Sequence, residues 1–588
     1  MKQWIQRLTA GMLLGLVMSV GLAGAADKPN IVIILADDQG WGDLSTTGNT
    51  NIETPNIDKL ADAGATFDRF FVCPVCAPTR AEFFTGRYHP RGGVHGVSTG
   101  TERLNLDEKT IGDTFKAAGY ATGAFGKWHN GTQYPYHPNG RGFDEYYGFA
   151  SGHWGQYFDP VLEHNGEKVR GNGFIIDDLT DHAIDFIEQN KEGPFFCYLP
   201  YNTPHTPFQV PDRFYDEFAD KAFSMRHRDL KREELPRTRA ALALCENIDW
   251  NVGRVLEKLD QLNLADDTIV IYFSDNGPNS YRWNGGMKGR KGSTDEGGVR
   301  VPFFIRWPGR IQENIEIPQI AGAIDLLPTL ADLAGISVVG SKPLDGKSLK
   351  PLLTGTARNW SDRMIFTRQR DRVSVRTQQY RLDYEGHLYD MTNDPRQDQD
   401  IAGDFPEVAA KLTKAVAAWK IDAGVTPPKT MRPFTVGYSE FPMTPLPARD
   451  GIPLGDVKRS ARAPNCSFFT NWTTTEDAIT WDVEVMQSGK YMAEIWYTCP
   501  AGDVGSTFEI TLNDSRITGK VTEAHDPPLV GAEFDRVKRG GESYVKDFKT
   551  MQLGTVNLDK GVGTLTLKAL EVPGSQVMEV RMVRLTLQ

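Results

Sequence analysis

The chain has 588 residues, which is too long for one hydrophobic core and predicts two or three domains. Hydrophobic residues make up 40% and charged residues 24%, the composition of an ordinary globular protein. The net charge of −11 argues against a nucleic-acid-binding protein, because such proteins gain affinity from basic contacts to phosphates.

Residues 1–25 have the pattern of a secretory signal peptide. Lys2 and Arg7 precede the apolar run GMLLGLVMSVGLAGA, which ends in small residues, and cleavage is predicted after Ala25. A membrane anchor is the alternative, but the run is shorter than the roughly 20 residues that span a bilayer. We therefore expect a bacterial protein that is exported to the periplasm or the medium, without a stable membrane anchor.

Residues 26–358 alternate apolar runs with helical patterns. KPNIVIILADDQG is an unbroken apolar run, which predicts a buried parallel strand. TPNIDKLADAG follows with helical spacing, a proline near its start and a glycine at its end. A helical pattern followed by an apolar run occurs three more times, and the last of these runs is TIVIYFSDNGP. This alternation predicts an α/β domain with a doubly wound sheet.

Polar side chains follow the predicted strands. In such sheets, ligands bind beyond the carboxyl ends of the strands. We expect the residues at these ends to converge; they are Asp37, Asp38, Lys127, His129, His205, Asp275 and Asn276.

The pattern changes after residue 358. Residues 359–430 predict a small α+β subdomain of short antiparallel strands and one amphipathic helix, PEVAAKLTKAVAAWK. Residues 431–455 hold many prolines and little periodicity, which predicts a linker. Residues 456–588 contain alternating runs separated by Gly and Asp turns, which predict a β-sandwich.

Six cysteines are too few for a disulfide scaffold. Cys466 and Cys499 share the predicted sandwich, where a disulfide between them is one option in an oxidising compartment. Cys73 and Cys76 have the C-x-x-C spacing of a redox pair or of half a zinc site. The stretch CAPTRAEFFTGR leaves three interpretations of Cys76: a nucleophilic thiolate, a core thiol, or the precursor of a modified residue.

Two pairs of polar residues could hold a metal ion. Asp37 with Asp38, and Asp275 with Asn276, offer hard oxygen ligands, which suit Ca²⁺ or Mg²⁺ better than zinc. Each pair alone is typical of a turn, but both directly follow apolar strands, which favours a metal site.

Basic residues accompany these candidate ligands in loops or at segment starts. They are Arg80, Lys127, His129, His205 and Lys291. A carboxylate-bound cation surrounded by such groups suits a tetrahedral oxyanion, phosphate or sulfate, with the histidines moving protons.

The motifs around these residues resemble the type I sulfatases of the alkaline phosphatase superfamily. Cys76-Ala77-Pro78-Thr79-Arg80 and Thr85-Gly86-Arg87 are similar to the family signature C-x-P-x-R…T-G-R, with Thr79 where many members have serine. The resemblance covers residues 28–430 in unbroken order and includes PNIVIILADDQGWGDL, GYATGAFGKWHNG, PHTPF and FSDNGP. It implies a doubly wound mixed sheet of the alkaline phosphatase/sulfatase type and the activity of a sulfuric ester hydrolase.

The resemblance also implies a mechanism. In that family a separate formylglycine-generating enzyme oxidises the cysteine, so Cys76 would be a precursor. The hydrated aldehyde would attack sulfur with one hydroxyl and expel sulfate with the other. The expected metal ligands, for Ca²⁺ rather than Mg²⁺, are Asp37, Asp38, residue 76, Asp275 and Asn276.

The same resemblance implies a role for each of the basic residues. Arg80 and Lys127 would hold the diol and sulfate, and His129 would assist the elimination. His205 and Lys291 would bind sulfate oxygens and protonate the leaving alcohol; Lys288 is the nearest rival of Lys291.

Two alternatives stay open: a phosphodiesterase or phosphonate hydrolase of the same superfamily, and a non-catalytic glycan-binding protein. Export and the appended β-rich domain favour a sulfated carbohydrate as substrate. We expect four loop residues to contact it, namely His153, Trp154, Arg282 and Trp283. Trp472, Trp481 and Trp496 are predicted to be core residues of the sandwich.

Overall fold

The computed structural model describes residues 28–588, so the predicted signal peptide lies outside the described residues. In this described part of the chain, no helix has both the length and the apolar character needed to cross a bilayer. The chain forms an α/β domain, a small α+β subdomain and a β-sandwich.

The α/β domain and its subdomain contain ten helices among the described residues. They are α1 (Pro55–Asp62), α2 (Cys76–Thr85), α3 (Ile111–Ala117), α4 (Ile175–Gln189), α5 (Asp212–Tyr215), α6 (Leu235–Gln261), α7 (Glu296–Val299), α8 (Leu326–Leu333), α9 (Lys350–Leu353) and α10 (Pro406–Asp422).

The strands of the α/β domain are short and mostly buried. They are β1 (Asn30–Ala36), β2 (Ala65–Phe67), β3 (Phe70–Phe71), β4 (Ala121–Lys127), β5 (Glu145–Phe149), β6 (Val161–His164), β7 (Glu167–Arg170), β8 (Phe195–Pro200), β9 (Thr268–Ser274), β10 (Arg300–Val301), β11 (Phe303–Arg306), β12 (Ile315–Ile317) and β13 (Ala321–Gly322).

A ten-stranded mixed sheet organises this domain, in the order β12-β2-β11-β9-β1-β8-β4-β5-β6-β7. β1 lies parallel to both β8 and β9, and β4 lies parallel to β8 and β5. β11 runs antiparallel to β9, which makes the sheet mixed. The predicted α/β fold with a doubly wound mixed sheet is confirmed.

The position of β1 in the middle of the sheet explains why the first apolar run does not alternate between apolar and polar residues. Val32 and Ile34 of β1 belong to one hydrophobic core, with residues of α1, α4 and α6. Ile31 and Ile33 belong to a second core on the opposite face, with residues of α2, α3 and α8. Because both faces of the strand are covered by helices, every residue of β1 is buried, and every side chain after Asn30 is apolar.

The subdomain is a four-stranded antiparallel sheet covered by α10. Its strands are β14 (Ile365–Gln369), β15 (Arg372–Arg376), β16 (Tyr380–Leu382) and β17 (Leu388–Asp390). Trp419 of α10 stacks on Phe366, with ring centroids 5.1 Å apart, and this contact fixes the helix on the sheet.

Two sheets form the C-terminal β-sandwich. Its strands are β18 (Phe434–Val436), β19 (Met443–Pro447), β20 (Ile452–Leu454), β21 (Lys458–Arg459), β22 (Phe469–Thr470), β23 (Ala478–Val485), β24 (Gly489–Thr498), β25 (Thr507–Leu512), β26 (Ser515–Lys520), β27 (Lys549–Leu558), β28 (Gly561–Glu571) and β29 (Glu579–Leu587). One sheet has the order β18-β23-β28-β25-β26, with β20 on β23, and the other β21-β22-β29-β24-β27, with β19 on β29.

The predicted linker is wrong. Residues 431–455 supply β18, β19 and β20, each of which pairs with a longer strand of the sandwich. β19 tolerates Pro445 and Pro447 because it pairs on one side only, with β29, so a missing N–H group does not interrupt the sheet. The prolines in this segment are therefore a feature of edge strands and not of a linker.

The sandwich core contains Trp472 and Trp481, as predicted. Trp496 is outside that core and half-buried, so its predicted core position is wrong. Cys466 and Cys499 are both free thiols, so the disulfide option is not realised. The Cys466 thiol donates a hydrogen bond of 2.9 Å to the carbonyl of His153 in the α/β domain.

Buried polar contacts dock the sandwich on the α/β domain. The Arg449 guanidinium pairs with Glu102 at 2.6 Å and with its neighbour Asp450 at 3.0 Å, and all three side chains are buried. Gln209 donates to the Gly531 carbonyl at 2.6 Å. The sandwich is thereby held beside the carboxyl end of the ten-stranded sheet.

Candidate active site

The metal-ligand candidates converge at the ends of two neighbouring strands. Ala36 and Ser274 are partners in the β1–β9 register, so the residues that follow them lie side by side. The Asp38 amide donates to Asp275 Oδ1 at 3.2 Å, and Asn276 Nδ2 donates to Asp38 Oδ1 at 2.7 Å. Asp37, Asp38, Cys76 and Asp275 each offer a ligand atom within 4.8 Å of the others.

The donor set fits a hard divalent cation. Asp37 Oδ1, Asp38 Oδ2 and Asn276 Oδ1 are buried, and no hydrogen-bond partner is found for them among residues 28–588. Buried polar oxygens normally have a partner, and a cation that prefers oxygen ligands satisfies all three. The residues present therefore fit Ca²⁺ or Mg²⁺, held by Asp37, Asp38, Asp275 and Asn276 next to residue 76.

Cys76 is the first residue of α2, where the unpaired backbone N–H groups of a helix favour an anion. Its side chain is buried. Burial, reinforced by the charge of Asp275, raises the pKa of the thiol despite the nearby cations Lys127 and Lys291. The group is therefore a protonated thiol at neutral pH, which argues against the thiolate interpretation.

The two cysteines of the C-x-x-C motif face different surroundings. Cys76 lies with the aspartates, whereas the side chain of Cys73 lies within 4.8 Å of Glu82 and His89. Both cysteines are free thiols. This arrangement does not support a redox pair or a zinc site shared by the two.

Thr79 and Arg80 tie α2 to the end of β9. The Thr79 hydroxyl donates to the Asp275 carbonyl at 2.6 Å and accepts from the Cys73 amide at 2.9 Å, so threonine fills the signature's serine position with a hydrogen-bonded hydroxyl. Arg80, fully buried, pairs with Asp275 at 2.8 Å and donates to the Lys127 carbonyl at 2.6 Å.

Two lysines complete the positive charge around residue 76. Lys127, the last residue of β4, contacts Asp37 at 2.5 Å. Lys291 contacts Asp38 at 2.5 Å and lies 3.5 Å from Cys76 Sγ. Lys288 instead lies 3.7 Å from Asp295 and 3.8 Å from Asp383, outside the site. The geometry thus favours Lys291 over its rival.

The two predicted catalytic histidines are both fixed by backbone carbonyls. His129 Nε2 lies 2.7 Å from the Val97 carbonyl, and the residue adopts a φ of 73°, a left-handed conformation that is uncommon outside glycine. His205 Nδ1 lies 2.6 Å from the Thr206 carbonyl, and its Nε2 lies 3.7 Å from Asp38 Oδ2. Burial lowers the pKa of each histidine, and Lys127 or Lys291 lowers it further.

The pKa values of two of the aspartates are shifted in opposite directions. Burial by itself would raise the pKa of Asp37, but the charges of Lys127 and His205 hold it well below the usual range. Burial raises the pKa of Asp275 to about 7, and the charge of Asp37 adds to this effect. A divalent cation bound beside Asp275 would favour its ionised form.

The four expected substrate contacts lie in different places. The His153 ring stacks 5.7 Å from the His205 ring, beside the site. Trp154 stacks on Phe149 at 5.1 Å and lines a separate cleft against the sandwich. Trp283 is half-buried, 6.2 Å from the ring of Trp41.

Arg282 requires a correction. Its side chain is buried, and it forms an ion pair with Asp43 at 2.6 Å. Its other hydrogen bonds go to the Asp38 carbonyl and to the side chains of Asn279 and Ser280. All five N–H donors are therefore engaged inside the protein, and the residue supports the loop of Asp38 instead of contacting substrate.

Sequence reasoning missed the contribution of the sandwich to this site. Glu542 accepts a hydrogen bond of 2.6 Å from the hydroxyl of Thr206, next to His205. Asn465 lies 3.2 Å from His153 Nδ1. These contacts join residues more than 300 positions apart, and neither side chain stands in a recognisable motif, so no local signal could have identified them.

The buried cluster of Cys73, Glu82 and His89, centred on Glu82 of α2, has a consequence for stability. Burial raises the pKa of Glu82 to about 8, although the side chain of Cys73 and the His89 amide donate hydrogen bonds to it. Between pH 4.5 and about 8 the folded protein keeps a proton that the unfolded chain releases, so stability falls as pH rises through this window.

We expect Glu82→Gln to remove this pH dependence. The variant should gain stability relative to the wild type as pH rises from 4.5 to about 8, on the order of a few kcal/mol. Urea denaturation of both proteins at the two ends of the window measures the difference. The exposed Glu407→Gln serves as the control, and equal pH slopes for Glu82→Gln and the wild type would contradict the prediction.

Comparison with known proteins agrees with this geometry. The chain matches the family model described as Sulfatase over residues 29–336. It also matches the model described as N-sulphoglucosamine sulphohydrolase, C-terminal, over residues 291–421. Both matches end before β18, the first strand of the sandwich.

Individual relatives extend over much of the chain. N-acetylgalactosamine-6-sulfatase of Mus musculus is 32% identical over 426 residues, which cover 66% of this chain and 77% of that protein. Arylsulfatase A of Homo sapiens is 32% identical over 491 residues, which cover 70% and 91%. The crystal structure of Ps i-CgsB in complex with k-i-k-neocarrahexaose has 31% sequence identity and a TM-score of 0.62, and covers 69% of this chain and 95% of that one. The chain therefore belongs to the type I sulfatase family of the alkaline phosphatase superfamily and is a sulfuric ester hydrolase.

Proposed function

We propose that this sulfatase is exported and hydrolyses a sulfate monoester on a carbohydrate, using formylglycine made from Cys76 and a bound Ca²⁺. The observation that carries the proposal is the placement of Cys76. It begins a helix within 4.8 Å of three aspartates, in reach of Lys291. A buried thiol with a raised pKa is a poor nucleophile, which supports its role as the precursor of another group.

Formylglycine and Ca²⁺ would each supply a defined chemistry. The hydrated aldehyde of formylglycine would offer one hydroxyl for attack on sulfur and a second for the release of sulfate. Ca²⁺, held by Asp37, Asp38, Asp275 and Asn276, would supply positive charge that stabilises the developing anion.

The lysines and Arg80 provide the anion-binding part of the site. Lys291 keeps its proton, because Asp38 raises its pKa against the effect of burial, and its Nζ lies 3.5 Å from Cys76 Sγ. Lys127, at the end of β4, contacts Asp37, and Arg80 of α2 contacts Asp275. Fixed cations in a buried site stabilise the charge that develops on sulfate oxygens without having to reorganise.

The histidines have complementary roles. The Thr206 carbonyl accepts a hydrogen bond from His205 Nδ1, so Nε2 faces the carboxylate cluster. Nε2 would deliver a proton to the leaving alcohol from the cationic form of the ring, which the charges of Asp38 and Asp37 favour. The Val97 carbonyl holds His129 through Nε2, so its buried Nδ1 is the atom left to take a proton from residue 76 during sulfate release.

Two named relatives support a carbohydrate substrate. One is an N-acetylgalactosamine-6-sulfatase, and the other was crystallised with a neocarrahexaose. A sulfate monoester carries one negative charge, whereas a phosphate monoester carries about two near neutral pH. One divalent cation with Arg80, Lys127 and Lys291 matches the smaller charge.

The test is sulfate release from a panel of defined sulfated oligosaccharides. The protein is produced together with a formylglycine-generating enzyme, loaded with Ca²⁺, and checked by mass spectrometry of the peptide that contains residue 76. We expect sulfate release from at least one saccharide, and a kcat/KM at least about 100-fold above that for a phosphodiester. Complete conversion of residue 76 with no sulfate released from any saccharide would overturn the proposal.

A further inference from the structure

A cleft of about 160 Å³ lies between the α/β domain and the sandwich, apart from the catalytic cluster. Trp154 and Lys168 line it from the α/β domain, and Met443, Trp496 and Arg581 line it from the sandwich. The established family relationship and the proposed mechanism leave this cleft without a role.

The alternation of β24 and β29 explains what the sandwich presents to the cleft. Ile495 of β24 and Val583 of β29 point into the sandwich core. Trp496 of β24 and the ion-paired Arg584 of β29 lie on the opposite, outer face of the same sheet and line the cleft. Arg581 lines the cleft as well, because the β24–β29 register shifts after Trp496 and leaves Arg581 without a partner residue in β24, which breaks the alternation with Val583. The sheet thus turns an aromatic ring and guanidinium groups toward the α/β domain.

Arg581 is the unusual member of this lining. Within residues 28–588 no Asp or Glu forms an ion pair with it, and one of its nitrogens donates to the Ser467 carbonyl at 2.6 Å. Burial lowers its pKa, and the positive charge of Arg449 lowers it further. Arg449 and Arg584, which also line the cleft, are each neutralised by carboxylates.

The Arg581 side chain is partly exposed, and a charge-assisted contact from an anionic ligand would be stabilising for a guanidinium without a carboxylate partner. The cleft also offers apolar and basic surface: the Arg581 guanidinium lies 5.8 Å from the Trp154 ring, and Lys168 lies 4.5 Å from the Trp496 ring. The two carboxylates of the lining, Glu163 and Asp547, are near His137 and Arg170 respectively.

A sulfated saccharide combines an anionic group with the apolar C–H surface of a sugar ring, which matches this lining. We propose that the interdomain cleft binds a further segment of sulfated saccharide, with Arg581 paired to a sulfate group and Trp154 and Trp496 against a sugar ring. The inference rests on the proposed function in taking a sulfated carbohydrate as the ligand.

The cleft is close enough to the catalytic site to serve the same polymer. Asn465 and Ser151 line it, and Asn465 contacts His153, whose ring stacks 5.7 Å from that of His205. One layer of side chains therefore separates the two sites.

Calorimetric titration tests the inference. Protein made without the formylglycine-generating enzyme keeps its Cys76 thiol, so it can be titrated without turnover. The probes are hexasaccharides of κ-carrageenan, chondroitin 6-sulfate and heparin, each with its desulfated counterpart. We expect at least one sulfated probe to bind and its desulfated counterpart to bind at least tenfold more weakly.

Three variants then locate the contact. Arg581→Gln should weaken binding of that probe about tenfold or more, and Lys168→Gln about threefold, because a charge-assisted contact is lost in each. Arg516→Gln, at an exposed ion pair elsewhere on the sandwich, is the matched control and should bind like the wild type. Lys168 is exposed, so its variant remains informative if Arg581→Gln fails to fold, which thermal denaturation reveals.

The inference is overturned if the wild type binds no sulfated probe, if the desulfated probe binds equally well, or if Arg581→Gln and Lys168→Gln both bind within twofold of the wild type. When Arg581→Gln does not fold, unchanged binding by Lys168→Gln alone overturns it. Sulfate release by the formylglycine-containing wild type is a separate readout. If release is absent while the loss of binding in the variants persists, the proposed function fails and the cleft assignment stands.

Discussion

Replacing Cys76 with alanine is expected to lower sulfate release by at least about 10⁴-fold, because under the proposed function this side chain is the precursor of the nucleophile. Cys76 is the thiol that lies with the three aspartates and within 3.5 Å of Lys291. Initial-rate measurements on the best saccharide of the panel check this. Cys466→Ser, which alters another buried thiol, should keep a rate within a few-fold of the wild type.

Cys76→Ser separates the two halves of the reaction. A serine hydroxyl can attack sulfur but has no second hydroxyl with which to expel sulfate. We expect this variant to release about one equivalent of the alcohol and then stop, with sulfate retained on the protein and visible by mass spectrometry. Steady turnover by either variant at a tenth of the wild-type rate or more would contradict the assignment of Cys76.

Asp37→Asn is expected to lower activity by at least about 10³-fold and to abolish stabilisation by Ca²⁺. Asp37 combines an oxygen without a partner in the described chain, a strongly lowered pKa and a contact to Lys127. The amide removes one of the charges that hold the cation and leaves Lys127 without its carboxylate.

Thermal denaturation gives a readout that does not depend on activity. Free Ca²⁺ at 100 times its Kd should stabilise the wild type by about 2.7 kcal/mol, and this gain should disappear in Asp37→Asn. The chain contains a further group of candidate ligands, Asp383, Glu385 and His387, so Glu385→Gln is the matched control. An equal Ca²⁺ effect in Asp37→Asn and the wild type, or its loss in Glu385→Gln, would place the cation elsewhere.

The sequence was sufficient to predict that the aspartates at the strand ends lie together. Asp37 and Asp275 each follow an unbroken apolar run, and parallel strands bring such ends to the same edge of a sheet. The prediction succeeded because the local patterns indicate both that the strands are parallel and that the polar residues follow their carboxyl ends, which meet at one edge of the sheet. The choice between Lys291 and Lys288, three residues apart, needed the structure because loop geometry decides which side chain points inward.

Other features could not be predicted for identifiable reasons. A Tyr-Arg-Trp sequence in a loop cannot reveal that Asp43, far away in the chain, buries Arg282. The prolines of β19 indicated a linker, since a local pattern does not show that the strand has a partner on one side only. The predicted core position of Trp496 is wrong because an alternating pattern shows that a strand has two faces, but it does not show which face packs in the sandwich core and which face is covered by another domain.

The last strand of the sandwich has a consequence for the order in which the protein is completed. β29 ends at Leu587 and lies between β22 and β24, with β19 also paired to it. A ribosome must therefore translate as far as Leu587 before this sheet can close. Until then, the wall that carries Glu542 and Asn465 is unfinished, while Cys76 has long been synthesised. The late position of β29 relative to α2 thus leaves an interval during synthesis in which residue 76 exists while the pocket around it is still open.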